Sequence, residues 1–277
     1  MRLSRHRSLA ALLCAVAIAA CEKNAVQDIA GPLPTARIKF FNFGVNAPGV
    51  NFFGNDTKLT AIGSTSCQGV AATDTATIRR CTTSGIESTT GVAVGGVGNG
   101  GFYSAIAPGQ YTFAGKIAAA ADNGLAVSSV QTAIAEGKAY SLYVSGFYNT
   151  TTKQVEGFVV EDALPPAIDF TTVSVRFVNA ISNSSPMTLY AKNTTTNAAE
   201  VAIGGAVAYK SGGAFVTIPG GFYDLNTRTA GSATNVITRT AVQFVPGRVY
   251  TIGARGDITV TSTTSANRPQ LDNTANR

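Results

Sequence analysis

Histidine and tryptophan are almost missing from this sequence: its 277 residues hold one histidine, His6, and no tryptophan. Cysteine (four) and methionine (two) are also scarce, and only 13% of side chains are charged. His6 falls in an N-terminal segment that reads as a cleaved export signal, and a mature chain without histidine cannot assemble a Ser-His-Asp or Cys-His site, or any histidine-ligated metal centre. Its acids lie singly in turn-like contexts, which argues against paired-carboxylate hydrolysis. No Lys/Arg cluster interleaved with aromatics appears, so nucleic acid is excluded as a partner. Nor is any stretch after the first twenty residues apolar enough to span a bilayer, since Thr112–Val127 is broken by Lys116 and Asp122. What is plentiful is small and apolar: 45% hydrophobic residues and 29 glycines, enough for buried cores. The expectation is a protein without catalysis, cofactor or metal.

The first twenty residues read as an export signal. Arg2, Arg5 and Arg7 precede a short apolar run, Ser8–Ala20, which ends at Cys21. The segment Ile18-Ala19-Ala20-Cys21 resembles the bacterial lipobox, in which the cysteine thiol receives a diacylglycerol and the chain is cut before it. An ordinary cleaved signal with a chance cysteine is the alternative. The resemblance implies a membrane partner reached through a lipid at Cys21, and Glu22 beside it suggests the outer membrane. Cleavage leaves 257 residues, no histidine and a net side-chain charge of +3. Residues 21–35 then form a tether with an r.m.s. reach of roughly 20 Å.

Cys67 and Cys81 remain after export. An even pair in an oxidising compartment suggests a disulfide closing a loop of about 15 residues, worth roughly 3 kcal/mol in the chain-entropy model.

Beyond the tether, short β-branched and aromatic runs alternate with Gly, Pro and Asn. Examples are Arg37–Phe43, Tyr111–Ile117, Ala139–Val144, Val173–Val178 and Val249–Ala254. That pattern predicts an all-β fold of two tandem immunoglobulin-like antiparallel β-sandwich modules. Self-comparison supports the tandem. Ile38-Lys39-Phe40-Phe41-Asn42 matches Val175-Arg176-Phe177-Val178-Asn179 at a shift of 137, and Pro108-Gly109 matches Pro219-Gly220 at 111. Gly137-Lys138-Ala139-Tyr140 matches Gly247-Arg248-Val249-Tyr250. The predicted modules are 36–162, with both cysteines in an insertion, and 173–263; 163–172 is a Pro-containing linker and 264–277 a disordered tail. Ile38, Phe40, Tyr111, Leu142 and Val144 should fill one core, and Val175, Phe177, Phe222, Ile252 and Ala254 the other.

A basic-aromatic-Asn opening strand, a central Pro-Gly before an aromatic strand, a Gly-x-x-Tyr strand, then Glu-Asp and prolines before a second copy: together these resemble the family called domain of unknown function 4397. The resemblance implies an exported bacterial protein with tandem β-sandwiches and brings no established activity. The chain departs from the family's usual opening, where a His-Ala-Ser-Pro-like segment often follows the first strand; here Phe43-Gly44-Val45-Asn46 and Ala180-Ile181-Ser182-Asn183 stand there.

Four features invite a functional reading. Tyr140 and Tyr250, each opening an apolar strand, read as structural tyrosines bonding nearby backbone. Gly-Phe-Tyr occurs three times and reads first as packing between modules, with its tyrosines Tyr103, Tyr148 and Tyr223 the candidate ligand contacts, able to stack on sugar rings or a protein, as the alternative. Gly96–Gly101 fits a GxGxxG spacing, but Phe102–Ile106 after it is strand-like, so it reads as a hairpin loop rather than a dinucleotide site. Glu156, Glu161, Asp162 and Asp169 gather at the junction between copies and read as a solvated acidic edge, with a calcium site the alternative. The functional expectation is a cell-envelope interaction or structural module whose partner is an envelope protein; an alternative is a polysaccharide-binding module.

Overall fold

The computed structural model describes residues 35–60, 91–167 and 169–277. The leader, Cys21, Cys67 and Cys81 lie outside these residues. Pro34–Arg277 form one compact unit. Among the described residues it folds into nine strands twice over.

The first set is β1 (Ala36–Asn42), β2 (Val50–Gly54), β3 (Thr57–Lys58), β4 (Gly96–Val97), β5 (Ser104–Ile106), β6 (Gly109–Ile117), β7 (Ala126–Ile134), β8 (Ala139–Asn149) and β9 (Gln154–Glu161). The second is β10 (Thr172–Asn179), β11 (Met187–Asn193), β12 (Val201–Val207), β13 (Ser211–Gly212), β14 (Val216–Pro219), β15 (Gly221–Thr229), β16 (Ile237–Phe244), β17 (Val249–Arg255) and β18 (Gln270–Ala275). In the first module a sheet ordered β4-β1-β8-β9, with β5 also on β1, faces one ordered β3-β2-β6-β7. The second repeats this order as β13-β10-β17-β18, with β14 on β10, against β12-β11-β15-β16. The all-β, two-sandwich reading holds. One pair in each module is parallel, β1 with β8 and β10 with β17, so these two sheets are mixed.

Alternation builds each core. Ile38 and Phe40 point inward with Val50, Phe52, Phe113, Leu142 and Val144. Val175 and Phe177 do the same with Leu189, Leu225, Ile252 and Ala254. Each core is separate, and Gly137 and Gly247, at φ 71° and 78°, make the matching tight turns before β8 and β17.

Two expectations are corrected. The tail is ordered: residues 270–275 are β18, paired along β17 from Tyr250↔Ala275 to Arg255↔Gln270, with Leu271 3% exposed. It stands where β9 stands in the first module, so the second sandwich extends past 263. Without it β17 would be left as a bare edge. The central alignment also slips by one. Phe222 is 47% exposed, and Tyr223 fills the core. The true counterpart of Tyr111 is Tyr223, since their hydroxyls make the same bond, to Ala107 O at 3.0 Å and Pro219 O at 2.7 Å. Gly220 and Gly221 carry one residue more than the first copy has there, and one residue of slip reverses which face a side chain meets.

Candidate functional site

The strands β1, β8, β10 and β17 are buried on both faces, which one sandwich alone cannot do. Their inner faces line the two cores. Their outer faces meet each other, so the modules pack back to back through the β1-β8-β9 and β10-β17-β18 sheets. Phe41, Phe43, Tyr143, Phe158, Val178 and Ala180 make a third apolar cluster there. Phe41, Tyr143 and Phe158 are register neighbours on β1, β8 and β9, and their rings stack at 4.6 and 5.0 Å.

Beside the rings lies a buried polar network with approximate two-fold symmetry. Lys39 and Arg176, equivalent positions on β1 and β10, are 1% and 2% exposed. Each reaches into the other module. Arg176 donates to Glu161 O at 3.0 Å, to Thr251 Oγ1 at 3.0 Å and to the Asp162 carboxylate. Lys39 donates to Ala275 O and to Asn276 Oδ1 at 3.3 Å. The register Tyr140↔Glu161 and Tyr250↔Ala275 makes Asp162 and Asn276 equivalents. Ser141 holds Asp162 Oδ2 at 2.8 Å, and Thr251 takes the Asn276 amide at 2.6 Å. An aromatic ring covers each cation: Tyr103 lies 4.4 Å from the Lys39 amine and Phe215 4.9 Å from the Arg176 guanidinium.

Burial shapes the electrostatics. Lys39 is pulled down to about 8, because desolvation, with Arg176 adding to it, outweighs the attraction of Asp162. Tyr103 is pushed up by burial and by Asp162, so its hydroxyl stays protonated and donates to Asp162 Oδ2 at 2.6 Å. A groove of ≈450 Å³ opens beside the network, lined by Lys39, Phe102, Tyr103, Arg248, Asn276 and Arg277 among others.

At the acidic junction Glu156, Glu161 and Asp169 are exposed, as a solvated edge requires, and Asp162 is the exception. Asp162 is buried in an ion pair. Glu156 pairs with Lys210, Glu161 with Lys138, and Asp169 accepts from Thr171 and Thr172. The four carboxylates share no partner, and among the described residues no three His, Cys, Asp or Glu side chains gather as a metal site.

The candidate ligand-contact tyrosines also turn inward. Tyr103 bonds Asp162, Tyr148 packs half-buried on the first core, and Tyr223 is 2% exposed. In each Gly-Phe-Tyr it is the phenylalanine that faces out: Phe102 is 77% exposed and Phe147 45%, as Phe222 is in the second copy. Adjacent residues alternate, so a buried tyrosine sends its neighbour to solvent. Gly98–Gly101 make a 3-10 turn with Asn99 and Gly100 at positive φ, a loop without a following helix.

Tyr140 and Tyr250 occupy matching sites, 7% and 8% exposed, and accept the backbone N–H groups of Ala135 at 3.1 Å and Val245 at 3.3 Å. Tyr140→Phe or Tyr250→Phe is expected to cost about 1–3 kcal/mol if the N–H is left unpaired. Urea unfolding of each variant checks this, and no change in midpoint would assign the hydroxyls no structural role.

The reciprocal network was missed in the sequence, although a basic residue recurring at one place in both opening strands was its signal. No protein-family model matches this sequence, and no curated protein sequence does. Among solved structures, the Bacillus anthracis TIE protein is similar over 79% of this chain at 14% identity and a TM-score of 0.23, and the chain spans 33% of that protein's length. A putative cell adhesion protein from Bacteroides ovatus is similar over 89% of this chain and 99% of its own, at 13% identity and a TM-score of 0.22.

Proposed function

We propose that this chain is a non-catalytic, exported lipoprotein, anchored through Cys21 to the outer membrane, that presents a stiff two-sandwich body to a protein partner in the cell envelope. One observation carries the reading. The groups most able to do chemistry are tied into a clamp between modules: Arg176, Ser141 and Tyr103 bond Asp162, and Lys39 bonds Asn276. Their polarity is used on architecture, and an unbroken scaffold is what a presenting module needs. The polysaccharide alternative has less support, because Tyr223 is buried and Tyr103 and Tyr148 are half-buried. Outward phenylalanines, Phe102 and Phe222 among them, are apolar contacts open to a protein partner.

Cys21→Ala is expected to abolish fatty-acid labelling and move the protein from the membrane to the soluble fraction, because the lipid is its only proposed hold on the bilayer. Labelled fatty acid retained on that variant would sink the anchor. Cross-linking of the anchored protein in envelopes, followed by capture, tests the partner. A specific protein lost on Phe102→Ser or Phe222→Ser supports the reading, whereas turnover of an envelope component by the purified chain overturns it.

A further inference from the structure

We propose that Lys39 and Asn276 condense into an intramolecular isopeptide bond that staples β1 of the first sandwich to the end of β18 in the second. The two halves of the interface use one geometry with different chemistry. In one half a guanidinium, Arg176, meets a carboxylate, Asp162, and the charges cancel. In the other an amine, Lys39, meets a neutral amide, Asn276, and a main-chain carbonyl. A buried ammonium whose hydrogen-bond partners are all neutral is costly. Acylating the amine removes that charge and leaves a neutral amide in its place.

The geometry places the reacting atoms together. The Lys39 amine lies 3.3 Å from Asn276 Oδ1, so with a C=O length of about 1.23 Å the amide carbon is no more than about 4.5 Å away. Small torsional adjustment along the lysine chain brings it to the ~3–3.5 Å of a reactive approach. The amide is already oriented: its oxygen faces the amine, and its nitrogen is held by Thr251 Oγ1 at 2.6 Å. Both side chains are buried, Lys39 at 1% and Asn276 at 8% exposed, and the Tyr103 ring covers the amine. With Lys39 brought down to about 8, about a tenth of it is unprotonated at pH 7.

The step balances without any co-reactant. The lone pair of Nζ adds to the Asn276 amide carbon, and the bond from that carbon to Nδ2 breaks. The proton shed by Nζ joins Nδ2 and its two hydrogens, and ammonia departs. Nothing is oxidised or reduced. Asp162 acts on Lys39 through its charge, and Tyr103, which donates to Asp162, covers the amine with its ring. The adjoining groove, which both reacting residues line, gives ammonia its exit.

The test is peptide mass spectrometry on the full chain, expressed with its own leader and digested after denaturation. The expected result is a branched peptide joining Lys39 to Asn276, lighter than the two linear peptides by one ammonia, with trypsin unable to cut after Lys39. Lys39→Arg and Asn276→Ala should each abolish it. Chain unfolded and refolded at set pH before the bond has formed should form it faster as pH rises, levelling above about 8, because only the free amine attacks. Linear Lys39 and Asn276 peptides of full mass overturn the proposal. So does an ammonia loss confined to one peptide, which would be a succinimide. The wild-type digest decides the matter even if a variant fails to fold.

Discussion

Asp162→Ala is expected to cost about 3–5 kcal/mol, the range for breaking a buried ion pair by removing one partner. The alanine would strip Arg176 of its carboxylate while leaving the guanidinium 2% exposed between two sandwiches. Tyr103 and Ser141 would lose their acceptor in the same stroke. Most of the loss comes from that stranded charge, so removing both ends should recover much of it. Asp162→Leu with Arg176→Met is expected to lie close to the native stability, since an apolar pair has no desolvation penalty. Asp56→Ala supplies the contrast. It also breaks an ion pair, to Lys116 at 2.9 Å, but the Asp56 side chain is 91% exposed. Water screens that pair, and its loss should cost no more than about 1 kcal/mol. Urea denaturation of the four chains is the measurement. If Asp162→Ala costs no more than Asp56→Ala, the junction is not clamped by this pair.

The same junction shows where the sequence stops being legible. Period-two alternation displays one face at a time, and Ile38, Phe40, Val175 and Phe177 announced the inner faces of β1 and β10 plainly. Lys39 and Arg176 sit at the intervening positions, where a charged residue reads as solvent-facing. Only the second sandwich, arriving from far along the chain, makes those positions interior. Asp162 lies in a stretch with prolines and neighbouring acids, the composition of an exposed linker, and nothing local tells that it meets Arg176. β18 was hidden for a related reason. Gln270–Ala275 holds one large apolar residue, Leu271, and its pairing with β17 is main-chain bonding that composition does not register. The Tyr111–Tyr223 match was lost to a single inserted residue, too small a change for a motif as short as Pro-Gly to detect. The duplication itself survived all of this, because nine strands in one order leave repeated traces that no single error erases.

Tyr143→Ala is expected to cost about 3–5 kcal/mol, as for other large aromatic truncations in a packed interior. Tyr143 is 1% exposed at the centre of the inter-module rings, stacked on Phe41 and Phe158 and tilted against Phe43 at 5.5 Å. Aromatic pairs contribute about 0.5–1.5 kcal/mol each beyond the area they bury. Its counterpart on β17 is Gly253, and that smallness is required. A Cβ built on Gly253 would stand 2.8 Å from the Phe43 ring. The approximate symmetry is thus completed by size, with Phe43 over Gly253 in one half and Ala180 taking the place of Phe43 in the half that holds Tyr143. Gly253→Leu should therefore disrupt the same surface by overfilling it, at about 1–3 kcal/mol or more. Both changes leave the two sandwich cores untouched, which fixes what calorimetry should show. The native chain should melt in one transition, because the interface couples the modules. Tyr143→Ala and Gly253→Leu should split it, with the less stable sandwich melting first. A single transition, unsplit and displaced by less than about 1 kcal/mol, would mean that the rings fill space without coupling the modules, and the stiff body proposed for presentation would lose its physical basis.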